Sequence, residues 1–369
     1  MSNNNTNNES LKLGKNFIDT IDHYRNAILR LMQLEENVLN NFFSLSLNFS
    51  HDREMFSLEN ARKALQKNWI TTLKLFNRDN SEIYSVNLEL DSCFGIMNFD
   101  QFVKIARTPS YGVAINSAIG FGVLVHSSDF SRVKNSETDY ETEYFQGDID
   151  GVGYGNLNNQ QWRNQKAERL VRELNAILIQ VGSRTQLESM TVLDVGAGYG
   201  QFLNQLKNIG SRVAGLDISE HAAMNARNRF GLSIHQMSIQ EFSRSYPEKF
   251  DLITMWDYIE HPDNPLADLL CCFEILSEGG YLVIKTPSIC ALEYEVFKGY
   301  YHSFKREHLN YFSPNSLAQL LILAGFDLKM KIGISHMFQG LHTGALTSLA
   351  IANGKESDIL IIAKKKSTV

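Results

Sequence analysis

Nine residues, Val192-Leu193-Asp194-Val195-Gly196-Ala197-Gly198-Tyr199-Gly200, constrain this chain more than any other stretch. A run of branched apolar residues feeds directly into three glycines at alternate positions, and an amphipathic pattern over 201–209 follows. That order reads as a buried strand, a tight turn and a helix. Glycine has no Cβ, so the backbone can bend sharply and a ligand can lie against it. A second apolar run, 212–216, ends in Asp217. It falls about 20 residues after the turn, where a carboxylate can take both ribose hydroxyls of a nucleoside. The turn therefore specifies a nucleotide-type pocket. Its glycines at 196, 198 and 200 are spaced G-x-G-x-G rather than the dinucleotide G-x-G-x-x-G, which disfavours a nicotinamide dehydrogenase.

Apolar, β-branched-rich runs at 191–195, 212–216, 232–237, 250–256 and 280–286 alternate with helical patterns at 222–230 and 264–276. Alternation of this kind implies a mostly parallel sheet with helices on both faces. Two later runs, 327–332 and 359–363, are expected to add strands, with 333–354 between them as an insertion over the pocket. Ligands of open α/β sheets bind beyond the carboxyl ends of the strands. Gly196, Asp217, Ser238 and Asp257 fall at such ends.

From Thr191 onward these residues resemble the class I S-adenosylmethionine-dependent methyltransferases. Besides the glycine turn, the chain has Phe250-Asp251-Leu252-Ile253-Thr254-Met255-Trp256 as a fourth strand and Asp257-Tyr258-Ile259-Glu260-His261 after it. Residues 276–287 read LSEGGYLVIKTP, and His308-Leu309-Asn310-Tyr311-Phe312-Ser313 follows, which is similar to the ubiquinone-biosynthesis-like branch acting on small molecules. The resemblance implies a Rossmann-like seven-stranded sheet closed by an antiparallel hairpin. It implies S-adenosylmethionine as cofactor, leaving S-adenosylhomocysteine as product. Implied cofactor residues are Asp194, Gly196, Ala197, Gly198, Gly200, Asp217, Ile218, Ser238, Ile239, Trp256 and Asp257. The acidic residue usual beside the adenine in that family is absent, since this chain has Met237-Ser238-Ile239.

At 369 residues the chain is long enough for two domains. Residues 1–10 read as a disordered tail, 11–135 as a mainly helical N-terminal domain, 136–159 as an acidic then glycine-rich linker, and 160–369 as the methyltransferase domain. Apolar positions from Phe17 to Phe42 recur at alternating threes and fours, and 58–75 gives a second helical pattern. By analogy this region is a substrate lid or a homodimer contact. Within it, 83–88 and 120–126 are strand-like. A net charge of −6 gives no electrostatic reason to expect a nucleic-acid partner. Cys93, Cys271, Cys272 and Cys290 lack metal-ligand spacing and read as reduced thiols of a cytoplasmic protein. No run of 18 apolar residues and no signal peptide is found.

A sulfonium methyl is already electrophilic, so transfer chiefly needs an acceptor held in line, about 3 Å away. A hydroxyl acceptor also needs a base, and histidine suits neutral pH. His308 is the first choice because it follows the fifth strand; its bland alternative is a cap for the helix starting near Ser313. His261, beside Pro262, is the second choice. Glu260, His261 and Asp263 lack ligand-like spacing, so no metal is expected. The expected function is methyl transfer to a small-molecule acceptor, on oxygen of a phenol, quinone, sugar or secondary metabolite. Transfer to carbon or nitrogen, or a catalytically silent cofactor-binding module, are the alternatives.

Overall fold

The computed structural model describes residues 83–105, 108–134, 160–291, 294, 299, 301–334 and 354–366. Six helices and twelve strands form two sheets among them.

The larger sheet contains β5 (Thr191–Val195), β6 (Arg212–Asp217), β7 (Ile234–Gln236), β8 (Phe250–Trp256), β9 (Leu276–Pro287), β11 (Phe326–Ile334) and β12 (Asp358–Lys365). Its order is β11-β12-β9-β8-β5-β6-β7. Strands β5 to β9 run parallel, and β11 and β12 close the edge antiparallel. All seven expected strands are present.

Side-chain alternation explains why both faces are covered. Val192, Leu252, Val283, Leu360 and Ile362 point to one face, where they meet Leu174 of α1 (Gln160–Gln180), Leu203 and Leu206 of α2 (Gln201–Ile209) and Ala226 of α3 (Glu220–Phe230). Leu193, Ile253, Ile284 and Ile361 point to the other. There they meet Phe242 of α4 (Ile239–Ser245), Leu269 of α5 (Pro265–Ile275) and Leu320 of α6 (Pro314–Leu323). Burying each such side chain contributes roughly 1.5–3 kcal/mol. The chain leaves β5 for β6 and β7 on one side and returns to β8 on the other. The crevice between β5 and β8 is therefore the switch point where a ligand fits.

The second sheet was not foreseen. The described part of 11–135 is strand and turn rather than helix: β1 (Ile83–Ser92), β2 (Gly95–Lys104), β3 (Tyr111–Asn116) and β4 (Phe121–His126) form an antiparallel meander. The strand-like runs at 83–88 and 120–126 correspond to β1 and β4. The helices expected over 17–42 and 58–75, the linker 136–159 and most of the insertion 333–354 lie outside the described residues. The meander is completed by β10 (Asn310–Phe312), which comes from the C-terminal half. Phe121 and Phe312 meet there with ring centroids 5.3 Å apart. Pairing across about 190 residues gives no local periodicity, which is why sequence reading divided the chain at the linker instead.

Candidate active site

The glycine turn after β5 has the conformation its sequence requires. Gly196, Gly198 and Gly200 all adopt positive φ (76°, 52° and 77°), a region costly for residues with a Cβ. A Cβ on Gly196 would stand 2.8 Å from Cδ2 of Tyr258, and one on Gly200 2.8 Å from Leu232. Asp217 closes the turn from β6. Its Oδ2 accepts from the Gly198 amide (2.8 Å) and its Oδ1 from that of Ser219 (2.9 Å).

These residues frame a cavity of about 290 Å³ at the switch point. Gly196, Gly198, Asp217, Ile218, Ser238, Ile239, Trp256, Asp257 and His261 of the expected set line it. Asp194, Ala197, Gly200 and His308 do not. Asp194 is buried beneath the turn, where it accepts from the Thr254 hydroxyl (2.7 Å), and burial pushes its carboxyl up to about 7. It ties β5 to β8. Ser238 contributes its wall position only, because its hydroxyl is engaged with Glu241 in the capping box that starts α4.

Asp257 is one of two non-glycine residues with positive φ (54°) among the described residues. Lys285 of β9 fixes it twice: the Lys285 carbonyl accepts from the Asp257 amide (2.8 Å), and the ammonium lies 2.6 Å from Oδ1. The same ammonium pairs with Asp358 of β12 at 2.8 Å. Burial alone would lower the Lys285 pKa, but the two carboxylates more than offset this and hold it raised.

The loop after Asp257 carries the titratable groups. Glu260 is buried; Oε2 accepts from the Thr286 hydroxyl (2.8 Å) and Oε1 has no partner among the described residues, and burial raises its pKa to about 8. His261 Nδ1 bonds the Glu307 carbonyl at 2.8 Å. A carbonyl only accepts, so Nδ1 carries the hydrogen and Nε2 the lone pair. His308 stands edge-on to His261, centroids 4.9 Å apart. Its other nitrogen bonds backbone at Ser303, while Nδ1 is buried without a partner among the described residues, and burial holds its pKa well down. It does not cap the helix at 313; Ser313 itself does, accepting from the Ser316 amide. One ligand-type atom each from Glu260, His261 and His308 lies within 4.8 Å of the others. Asp263, grouped with the first two on sequence, is exposed at the cavity rim instead.

Sequence reading missed what holds this loop in place. The Glu260 carbonyl accepts from the amides of Leu309 and Asn310 (both 2.9 Å), and the Asn310 side chain donates to the Pro262 carbonyl (2.7 Å). Arg132, just beyond β4, donates to the Asp263 carbonyl (2.7 Å) and to Asn310 Oδ1 (3.1 Å). The meander thus buttresses the site through β10. Among the described residues no helix is long and apolar enough to cross a membrane.

S-adenosylmethionine fits these residues. The turn at Gly196 leaves room only for backbone, Asp217 presents a carboxylate at the end of β6, and the Trp256 indole N–H is buried at the cavity wall without a partner among the described residues. A methyltransferase domain family model matches residues 162–329. The ubiquinone biosynthesis O-methyltransferase of Thiobacillus denitrificans is 24% identical over 196 residues, half of this chain and 84% of that one. The protein of the same name from Xanthomonas euvesicatoria is 26% identical over 214 residues, 53% of this chain and 87% of that one. Among solved structures, a SAM-dependent methyltransferase from Archaeoglobus fulgidus aligns over 54% of this chain and 94% of its own, with 21% identity and a TM-score of 0.41. Magnesium protoporphyrin IX methyltransferase from Synechocystis, with bound S-adenosylhomocysteine, aligns over 56% and 87%, with 17% identity and a TM-score of 0.40. Domain match, sheet order and glycine cradle agree: residues 162–329 match a methyltransferase domain, and S-adenosylmethionine is its methyl donor.

Proposed function

We propose that the enzyme methylates a hydroxyl of a small organic acceptor, of the phenol, quinol or sugar class, and that His261 takes the hydroxyl proton. The observation that carries this reading is the position of His261 on the cavity wall, with its tautomer fixed by the Glu307 carbonyl so that Nε2 bears the lone pair. Burial lowers the His261 pKa, which keeps the ring neutral and able to accept near pH 7. His308, the first choice on sequence, stands behind His261 and becomes the group that sets its ring orientation. The names of the two Thiobacillus and Xanthomonas relatives support oxygen as the acceptor atom. When bound, the cofactor supplies an electrophilic methyl; the protein's part is to align the acceptor and remove one proton.

The test is a pair of variants, with acceptors screened by transfer of an isotopically labelled methyl group. His261→Ala lowers turnover by about 10²-fold or more and leaves S-adenosylmethionine affinity nearly unchanged. His308→Ala lowers it less. Unchanged turnover in His261→Ala removes it as the base.

A second reading rests on Glu260 Oε1 and His308 Nδ1, which are both buried beside His261 without partners among the described residues. Glu260, His261 and His308 have the donor types that hold a divalent cation, which would acidify an acceptor hydroxyl. Loss of turnover on chelation, restored by zinc or iron(II), would favour it; turnover indifferent to chelation would leave the histidine alone.

A further inference from the structure

The cavity has two ends. Gly196 and Trp256 at the ends of β5 and β8 mark one; Met237, Ser238, Ile239 and Gln240 beyond β7 mark the other, with Asp217 between them. A ribose on Asp217 therefore directs the adenine toward Gln240. Adenine's exocyclic amine is a hydrogen-bond donor, and it needs an acceptor there. The Ser238 hydroxyl is engaged with Glu241. Gln240 is half-buried on the wall, and its amide can present either an oxygen or an NH₂ group.

Asp268 decides which. It is a buried carboxylate on α5 that also lines the cavity, and its Oδ1 accepts from Gln240 Nε2 at 2.8 Å. An ionised carboxylate only accepts, so the amide cannot be turned over in this pair: its NH₂ faces Asp268 and Oε1 is left as the outward atom. The other carboxylate oxygen accepts from the Tyr258 hydroxyl at 2.8 Å, and the Tyr258 ring lies against Gly196. One side chain thus ties the glycine cradle to the far end of the cavity.

We infer that Asp268 is a positioning residue that orients Gln240 to read the exocyclic amine of adenine, making this pair the determinant of nucleobase specificity. The inference rests on the cofactor assignment above. It places the base-reading function on α4 and α5 rather than on a residue directly after β7.

The test uses the full chain and two probes, S-adenosylhomocysteine and S-inosylhomocysteine, in which a carbonyl acceptor replaces the amine. The unaltered protein binds the adenosyl probe about 30-fold more tightly, because the inosyl probe sets oxygen against Gln240 Oε1. Asp268→Asn can donate to Gln240 and turn its amide around, so the ratio falls to within about 3-fold, with most of the change in the inosyl constant. A purely structural role for Asp268 would weaken both probes alike. Gln240→Met, which leaves Asp268 in place, also collapses the ratio and keeps the inference open to refutation if Asp268→Asn does not fold. A preference for adenine retained in both variants overturns the inference. Failure of the unaltered protein to bind either probe overturns the cofactor assignment instead.

Discussion

Replacing Lys285 by methionine tests the network beneath Asp257. The ammonium sits between two carboxylates, with 11% of its side chain exposed; Asp358 is 8% exposed and Asp257 41%. Removing one partner of a buried ion pair costs about 3–5 kcal/mol, because the remaining charge stays buried and uncompensated. Asp358 is the more buried of the two carboxylates, and Lys166 lies close enough to interact with it and temper the loss. Asp257 reaches solvent, so its pairing is screened and adds little. The expected cost is therefore about 3 kcal/mol, the lower end of the range. For a domain of this size it corresponds to a fall of about 6–12 °C in Tm. The raised Lys285 pKa sets the sign of the pH dependence: its contribution is complete below the unfolded lysine value near 10.4 and is lost only as pH rises through the folded value. The cost should be the same at pH 6 and pH 8. Denaturant unfolding of Lys285→Met, Asp358→Asn and the double variant measures it by a cycle. The double variant should be more stable than Lys285→Met alone. A cost below about 1 kcal/mol, or an equal cost with and without Asp358, would refute the reasoning.

Three further outcomes follow from the site. Gly196→Ala places a Cβ against Tyr258 and strains a φ of 76°, so S-adenosylmethionine affinity measured by calorimetry should fall about 10-fold or more with circular dichroism unchanged; full affinity would mean the turn is no cradle. Asp194, raised by burial to about 7, is protonated more readily folded than unfolded, so its contribution is greatest below about pH 4 and is lost as pH rises toward 7. Relative to Asp194→Asn, the unaltered protein should then lose a few kcal/mol between pH 4 and pH 7, and a pH-independent difference would contradict this. Asn310→Ala removes the donor to the Pro262 carbonyl, which should cost about 1–3 kcal/mol and lower turnover with cofactor affinity little changed. Equal losses in turnover and affinity would place its effect on the whole domain.

The seven-stranded sheet was legible because its cause is local. Each strand is a short apolar run whose alternate residues feed two cores, and the helices between carry apolar positions at matching spacing. The cradle was legible for the same reason: Gly196, Gly198 and Asp217 act through their own backbone and strand ends. Asp194 shows the limit of that reasoning. A carboxylate beside a buried sheet does need a partner, but Thr254 on the neighbouring strand provides it. Sequence position specified the need and could not say which side of the turn would meet it. Gln240 and Asp268 lie 28 residues apart on different helices, so no spacing rule could pair them.

The meander and the loop after β8 share one non-local cause. Asn310 pairs with Val123 in the small sheet, while its amide and side chain hold the Glu260 and Pro262 carbonyls. His308, two residues earlier, is thereby set against His261, and Glu307 supplies the carbonyl that fixes the His261 tautomer. A single three-residue strand therefore joins the N-terminal sheet to both histidines. Strand pairing of this length contributes little stability alone. Its consequence is geometric: the histidine side of the cavity is buttressed by residues before 135, whereas among the described residues the glycine-turn side is built from residues after 190. Changes in the meander should therefore alter turnover before they alter cofactor binding.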